Sequence, residues 1–309
     1  MKKAFLQLHV AVLLAGFTAI LGKLILLNEG YLTIYRVVLS AVMLGAFLWY
    51  KKKLKMLPWK DVAKLFAVGA IISLHWVTFY GSIKYSNVSV SVTCLSSIGF
   101  FTSIFEPIVM RRRMDIVEVV LGMLAIAGVY LIFNFYPEYK TGIIFGIVSA
   151  MLACLFPVFN KEFLNRFSPY TITFYEMTGG ALALCLILPF YFRFFPADYY
   201  IPTATDWLWL LILAGGCTVF AFGLSLNSLK HISAFTTNLT YNFEPIYSII
   251  LAFIIFKENK FLGPGFYYGF SLILLAVSLQ MLRIYRQRRN EKATIAVIRD
   301  GKPGADFLL

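Results

Sequence analysis

The side chain with the most chemistry to offer is Glu244, which lies about eleven residues, or roughly 16 Å of helix, from either end of an apolar stretch. A carboxylate that deep cannot snorkel to an interface, so it must face protein or water. Two readings are open: an acid hydrogen-bonded to a neighbouring Tyr or Asn, or a site for a solute amine or a proton whose state is tied to solute occupancy. At about 100° per residue, Thr237, Thr240, Tyr241, Tyr247 and Ser248 fall on its side of the helix, giving one polar and aromatic stripe. Pro245 removes a backbone donor and leaves a carbonyl free to bind.

The other residues suited to lining a solute cavity are His75, Trp76 and Phe79 on the third predicted helix, Ser96 and Phe100 on the fourth, Asn227 on the eighth and Tyr241 beside Glu244 on the ninth. Each also has a plainer role. A lone intramembrane histidine is a hydrogen-bonded packing residue, and the seam Ser89, Thr93, Ser96, Phe100, Ser103 has the spacing of a small-residue helix contact. Lys23, Arg36 and Glu176 carry charge and are candidates for gating. Lys23 and Arg36, within about one turn of helix ends, are either interfacial anchors or a cationic rim that meets anionic groups. Arg36 has Glu29 as one candidate partner outside the membrane, and Glu176 has Lys161 near the other face.

Catalysis and metal binding are not indicated. His9, His75 and His231 lie apart, and Cys94, Cys154, Cys185 and Cys217 fall inside predicted spans without C-x-x-C spacing. No G-x-x-x-x-G-K-[ST] loop is present, so no ATP site and no cofactor are expected. A membrane-embedded enzyme would need clustered acids and histidines, and a sensor would need a long soluble loop. Both rank below a transport function.

The elements that position these residues are membrane helices. Hydrophobic residues make up 60% of the 309 and charged residues only 14%, with a mean hydropathy of +0.78, more apolar surface than a soluble core can hide. The reading is all-α and polytopic, with ten helices over 5–27, 33–50, 62–81, 88–110, 116–134, 142–160, 170–192, 207–228, 233–256 and 262–283. The net charge of +13 sits in short blocks between these runs and in the tail, a topogenic pattern rather than a nucleic-acid footprint. Lys2, Lys3, Lys51 to Lys53, Arg111 to Arg113, Lys161, Arg166, Lys230 and Arg283 fall on one side, which predicts both termini cytoplasmic. The first run is too long for a cleaved signal and reads as a retained helix.

The chain is also internally duplicated. Leu32-Thr-Ile-Tyr-Arg36 matches Ile172-Thr-Phe-Tyr-Glu176, and Ser82-Ile-Lys-Tyr-Ser86 matches Ser228-Leu-Lys-His-Ile232, at an offset of about 140 residues. Five crossings per repeat is odd, so the halves enter from opposite sides, the inverted-repeat design of secondary transporters. The identical Phe105-Glu106-Pro107 and Phe243-Glu244-Pro245 are not equivalent, since the flanking alignment pairs Pro245 with Gly99. Where the second half has Glu258, the first has Arg111-Arg112-Arg113.

From Thr218 the order is a helix ending in "SLK", a "HISA" turn, a helix with internal Glu-Pro, a "KE" at its end and one closing helix. This order resembles the second EamA repeat of the drug/metabolite transporter superfamily. The resemblance implies a first repeat over 1–137, a second over 138–283 and a cytoplasmic tail over 284–309, expected to be loosely ordered near anionic lipid. It further implies a secondary transporter in the cytoplasmic (inner) membrane that moves a small amphipathic metabolite, such as an amino acid, outward by alternating access. A proton or counter-solute is the candidate coupling partner. Gly142-x-x-x-Gly146 and Gly265-x-x-x-Gly269 open helices 6 and 10, where small residues permit close packing, and helices 5 and 10, which lie outside the cavity in that family, are candidates for scaffold or homodimer contact.

Overall fold

The computed structural model describes residues 2–299 except 112, 165, 198–199, 230–239 and 241–242. Side chains of 2, 157, 161–162, 222, 226–227, 229, 284 and 287–299 are also outside the description. The described residues are helical, with no strand among them. In order these are α1 (Lys2–Leu24), α2 (Glu29–Tyr50), α3 (Trp59–Tyr85), α4 (Val88–Leu95), α5 (Ile98–Met110), α6 (Ile116–Phe135), α7 (Lys140–Leu164), α8 (Pro169–Tyr191), α9 (Ala204–Leu211), α10 (Ala221–Leu229), α11 (Glu244–Phe256) and α12 (Pro264–Arg299). A π-helical segment, Ile212–Phe220, joins α9 to α10. Nine helical stretches among the described residues are long and apolar enough to span a membrane, and α11 is a shorter apolar helix. The first half of the predicted ninth span lies outside the described residues. Apolar residues ring most of these helices because lipid and neighbouring helices are alike apolar, while the backbone satisfies itself internally.

Much of the packing recurs when the two halves are exchanged. α3 packs on α8 and α7, and its counterpart, the span from α9 to α10, packs on α2 and α1. α4 and α5 lie on α7, as α11 lies on α1. α6 and α12 pair with each other at the periphery, where a Cβ on Gly128 would strike the Gly269 carbonyl and one on Gly269 would strike the Gly128 carbonyl. Ile132 and Ile273 flank this contact in the same reciprocal way, so equivalent residues meet as they would on a two-fold axis. Two five-span repeats of opposite orientation fit this arrangement. The loops obey it too: Arg166, before α8, donates to Asp61 at the start of α3 at 3.0 and 2.7 Å, and Leu26 N–H, before α2, donates to Asp206 at the start of α9 at 2.8 Å.

Several boundaries differ from the sequence reading, three of them for a local reason. Asn28 caps α2 by accepting from Tyr31 N–H at 3.0 Å, so that helix begins at Glu29 rather than 33. The predicted 88–110 helix is broken at Ser96-Ser97, whose hydroxyls bond back to Val92 and Cys94 carbonyls and compete with the helical ladder. Beyond Arg283, the backbone expected to be a loose tail continues as helix to Arg299, through Arg, Gln, Glu, Lys and Ala residues of high helix propensity.

Candidate functional site

Arg36 is the centre of the site, and the earlier start of α2 is what puts it there. It lies about two turns inside the helix and is only 3% exposed. It is therefore no interfacial anchor, and the snorkelling expectation is corrected: the side chain turns inward because Trp76, Tyr80 and Thr218 receive it. Its guanidinium lies 3.7 Å from the Trp76 ring centroid, a cation–π stack. Nε and Nη2 donate to Thr218 Oγ1 at 3.3 and 3.1 Å, and Nη1 donates to the Tyr80 hydroxyl. Thr218 in turn donates to the Leu213 carbonyl at 3.1 Å, the spacing of the π segment. π segments are frequent at functional sites because they re-aim one side chain without ending the helix. Tyr80 is fully buried and rests on Gly22, where a Cβ would come 2.5 Å from the ring.

Among the described residues no carboxylate lies within ion-pair distance of Arg36. The expected Glu29 partner is taken instead by Tyr191, whose hydroxyl donates to it at 2.6 Å, and Glu29 is itself buried rather than outside. Glu244 lies within electrostatic reach of Arg36. It opens the described part of its helix, half-buried, with its carbonyl against Gly16 of α1 and accepting from Ser248 Oγ at 2.9 Å. On the far side of the π segment, a recess of about 290 Å³ is lined by Phe47, Tyr170, Gly215, Val219, Phe220, Gly223 and Leu224.

The other candidates divide. Trp76 is part of the Arg36 cluster, and Phe79 is buried next to Tyr80, their rings 5.6 Å apart. His75 is buried against α7, its Nδ1 2.8 Å from Ser149 Oγ, and faces Phe79 and Phe156. Ser96 spends its hydroxyl on Val92, and Phe100 packs toward α6, where a Cβ on Gly122 would meet its Cα at 2.6 Å. Neither reaches Arg36. The Asn227 side chain and all of Tyr241 lie outside the described residues. Lys23 does meet an anion: its Nζ is 2.7 Å from Glu258 Oε1, and Glu258 also accepts from Val88 N–H, Ser89 N–H and Ser89 Oγ, capping α4. Glu176 is 3% exposed on α8 next to Asn160, and the Lys161 side chain proposed as its partner is outside the description.

The family model of the EamA-like transporter family matches the chain twice, over residues 2–134 and 140–282. The chain belongs to the EamA-like transporter family. With its long apolar helices it is a multi-pass membrane protein, and the family points to transport rather than enzymatic chemistry. This transporter is 22% identical over 276 residues to an uncharacterized transporter of Clostridium kluyveri, covering 84% of the chain and 87% of the relative. It is 24% identical over 270 residues to the uncharacterized transporter YetK of Bacillus subtilis, covering 82% and 80%. An uncharacterized transporter of Archaeoglobus fulgidus is 28% identical over 152 residues, 49% of this chain and 53% of that one, so the chain spans about half the length of that relative. A solved crystal structure matches with a TM-score of 0.60 at 16% identity, covering 93% of this chain and 99% of that one, which shows the fold.

Tyr80 and Thr218 are the site residues the sequence reading missed. Tyr80 had a signal, since it lies one helical turn after Trp76 and so on the same face. Thr218 had none, because an α-helical register does not foretell a π segment.

Proposed function

We propose that this EamA-like transporter moves a small amphipathic solute with both a carboxylate and an amine, an amino acid or close analogue, by alternating access, outward across the cytoplasmic membrane. The observation that carries the reading is the buried Arg36 guanidinium with no carboxylate of its own among the described residues. Of its five N–H donors three are engaged by described residues, and the other two suit a solute carboxylate. Trp76 and Phe79 offer apolar surface to the solute body, and Glu244 offers the counter-charge for an amine. The outward direction is taken from the family resemblance. A homodimer through α6 and α12 would have to use their outer faces, since Gly128, Gly265 and Gly269 are occupied by contacts within the chain.

The test is a melting-temperature screen of the purified protein against amino acids, their amides and the corresponding decarboxylated amines. A ligand at about 100 times its Kd stabilises the folded state by roughly 2.7 kcal/mol. At least one amino acid should raise the melting temperature while its amine does not, and Glu244→Gln should fold normally and lose that response. Amines that stabilise as well as amino acids would refute the carboxylate role of Arg36.

A further inference from the structure

Arg36 and Glu176 occupy equivalent positions of the two repeats, one a cation and the other an acid. Each nitrogen of the cation has a neutral partner; the acid is less well served. Glu176 is held where α8 crosses α3 most closely: a Cβ on Gly69 would collide with the Glu176 carbonyl, and one on Gly180 would collide with Ser73 Oγ. Its carboxyl meets the side-chain amide of Asn160 on α7. Yet Glu176 Oε1 and Asn160 Oδ1 are both buried and, among the described residues, both without a hydrogen-bond partner. Ser73 Oγ, also buried and without a partner among the described residues, packs on Gly180 one turn away.

An amide and an ionised carboxylate can share only one hydrogen bond, N–H to oxygen, which leaves an acceptor on each side. Two stranded acceptors in a buried seam are costly, and the carboxylate adds an uncompensated charge. One proton removes all three penalties. In a closed pair the amide N–H would be given to Oε2, and a hydroxyl on Oε1 would be given to Asn160 Oδ1. We propose that Glu176 and Asn160 form a binding site for one proton, carried on Oε1 and donated to Oδ1 in a closed acid–amide pair.

The ionisable groups on the packed elements do not supply that proton's charge. On α3, His75 is bonded to Ser149, Asp61 to Arg166 and Lys84 to the Ile25 carbonyl, while Lys60 and Lys64 lie in its first two turns. On α2, Arg36 is bonded to Thr218 and Tyr80, and Glu29 to Tyr191. On α7, Lys140 begins the helix, and the Lys161 and Glu162 side chains are outside the described residues. α8 packs on both α2 and α3, which carry Arg36 and Trp76. Loss of the proton would place a bare carboxylate in that seam and force water between the helices, loosening the wall of the solute site. The role in coupling rests on the transport reading above; the proton site itself does not.

Infrared spectroscopy of the purified protein in lipid nanodiscs at pH 7 tests it without any solute. The wild-type minus Glu176→Gln difference should contain the carbonyl stretch of a protonated carboxylic acid that shifts in D2O, and Asn160→Leu, which keeps the acid but removes its acceptor, should move that band to higher frequency. If Glu176→Gln lacks a melting transition, the wild-type minus Asn160→Leu comparison carries the test alone. A difference showing only ionised carboxylate bands, or an acid band unmoved by Asn160→Leu, would overturn the proposal. Because no solute enters this measurement, a failed amino-acid screen leaves its outcome intact, and a failed infrared result leaves the solute reading standing.

Discussion

Arg36→Met removes the guanidinium while keeping a long flexible side chain against Trp76. Hydrogen bonds to a charged group contribute about 1.5–3 kcal/mol each, and every 1.4 kcal/mol is tenfold in affinity, so losing even one solute contact weakens binding roughly 10- to 100-fold. Stability responds differently, because three effects oppose one another. A buried cation without a carboxylate carries a desolvation penalty of several kcal/mol, which the substitution relieves. The cation–π stack at 3.7 Å, worth roughly 0.5–2 kcal/mol, is partly replaced by a sulfur–aromatic contact of about 0.3–1.5 kcal/mol. The fully buried Tyr80 hydroxyl loses its partner at a cost of about 1–3 kcal/mol, whereas Thr218 keeps its bond to Leu213. The melting temperature should therefore change little while the affinity for the amino acid found in the screen collapses, as read by calorimetric titration. Arg36→Lys keeps the charge but not the planar fork, so its affinity should be intermediate. A folded Arg36→Met protein that binds within about threefold of wild type would refute the reasoning, because no solute contact can be that cheap to delete.

Gly22→Ala should push the Tyr80 ring off its seat, destabilise by about 1–3 kcal/mol and weaken solute binding; unaltered binding would separate Tyr80 from the site. Gly128→Val, at the reciprocal contact with Gly269, should cost stability by thermal melting yet leave the affinity of the surviving folded protein unchanged. At the loop before α6, the Arg283 guanidinium donates to Asp115 and holds its carboxyl below the usual carboxylate range. That pair stabilises the fold fully above about pH 4, the unfolded value, and the contribution disappears as pH falls below it through the folded one. Asp115→Asn should therefore flatten the acid limb of the melting-temperature profile, by a small amount because Asp115 is substantially exposed. An identical acid limb in the variant would show that the pair contributes nothing.

The sequence by itself determined the spans and the duplication, since both depend on signals that run along the chain. A stretch of apolar residues must cross the bilayer as a helix whatever its neighbours, and an offset of about 140 residues relates Arg36 to Glu176 without any contact being known. Depth was legible only where helix ends were. Asn28 moved the start of α2 back by one turn, and with it Arg36 passed from an interfacial position to a buried one. The serines that break the fourth span and the π segment behind Thr218 rest on side-chain and carbonyl bonds a few residues long, which hydropathy does not register. Only the tertiary structure decided which charges meet. Lys23 found Glu258 across some 235 residues, Arg36 found Trp76 and Thr218 from two different repeats, and Glu176 found Asn160 with two acceptors left over. Such partnerships are fixed by the crossing of close-packed helices, and the small residues that set those crossings, Gly22, Gly69, Gly128 and Gly180, carry no charge or polarity that would announce them.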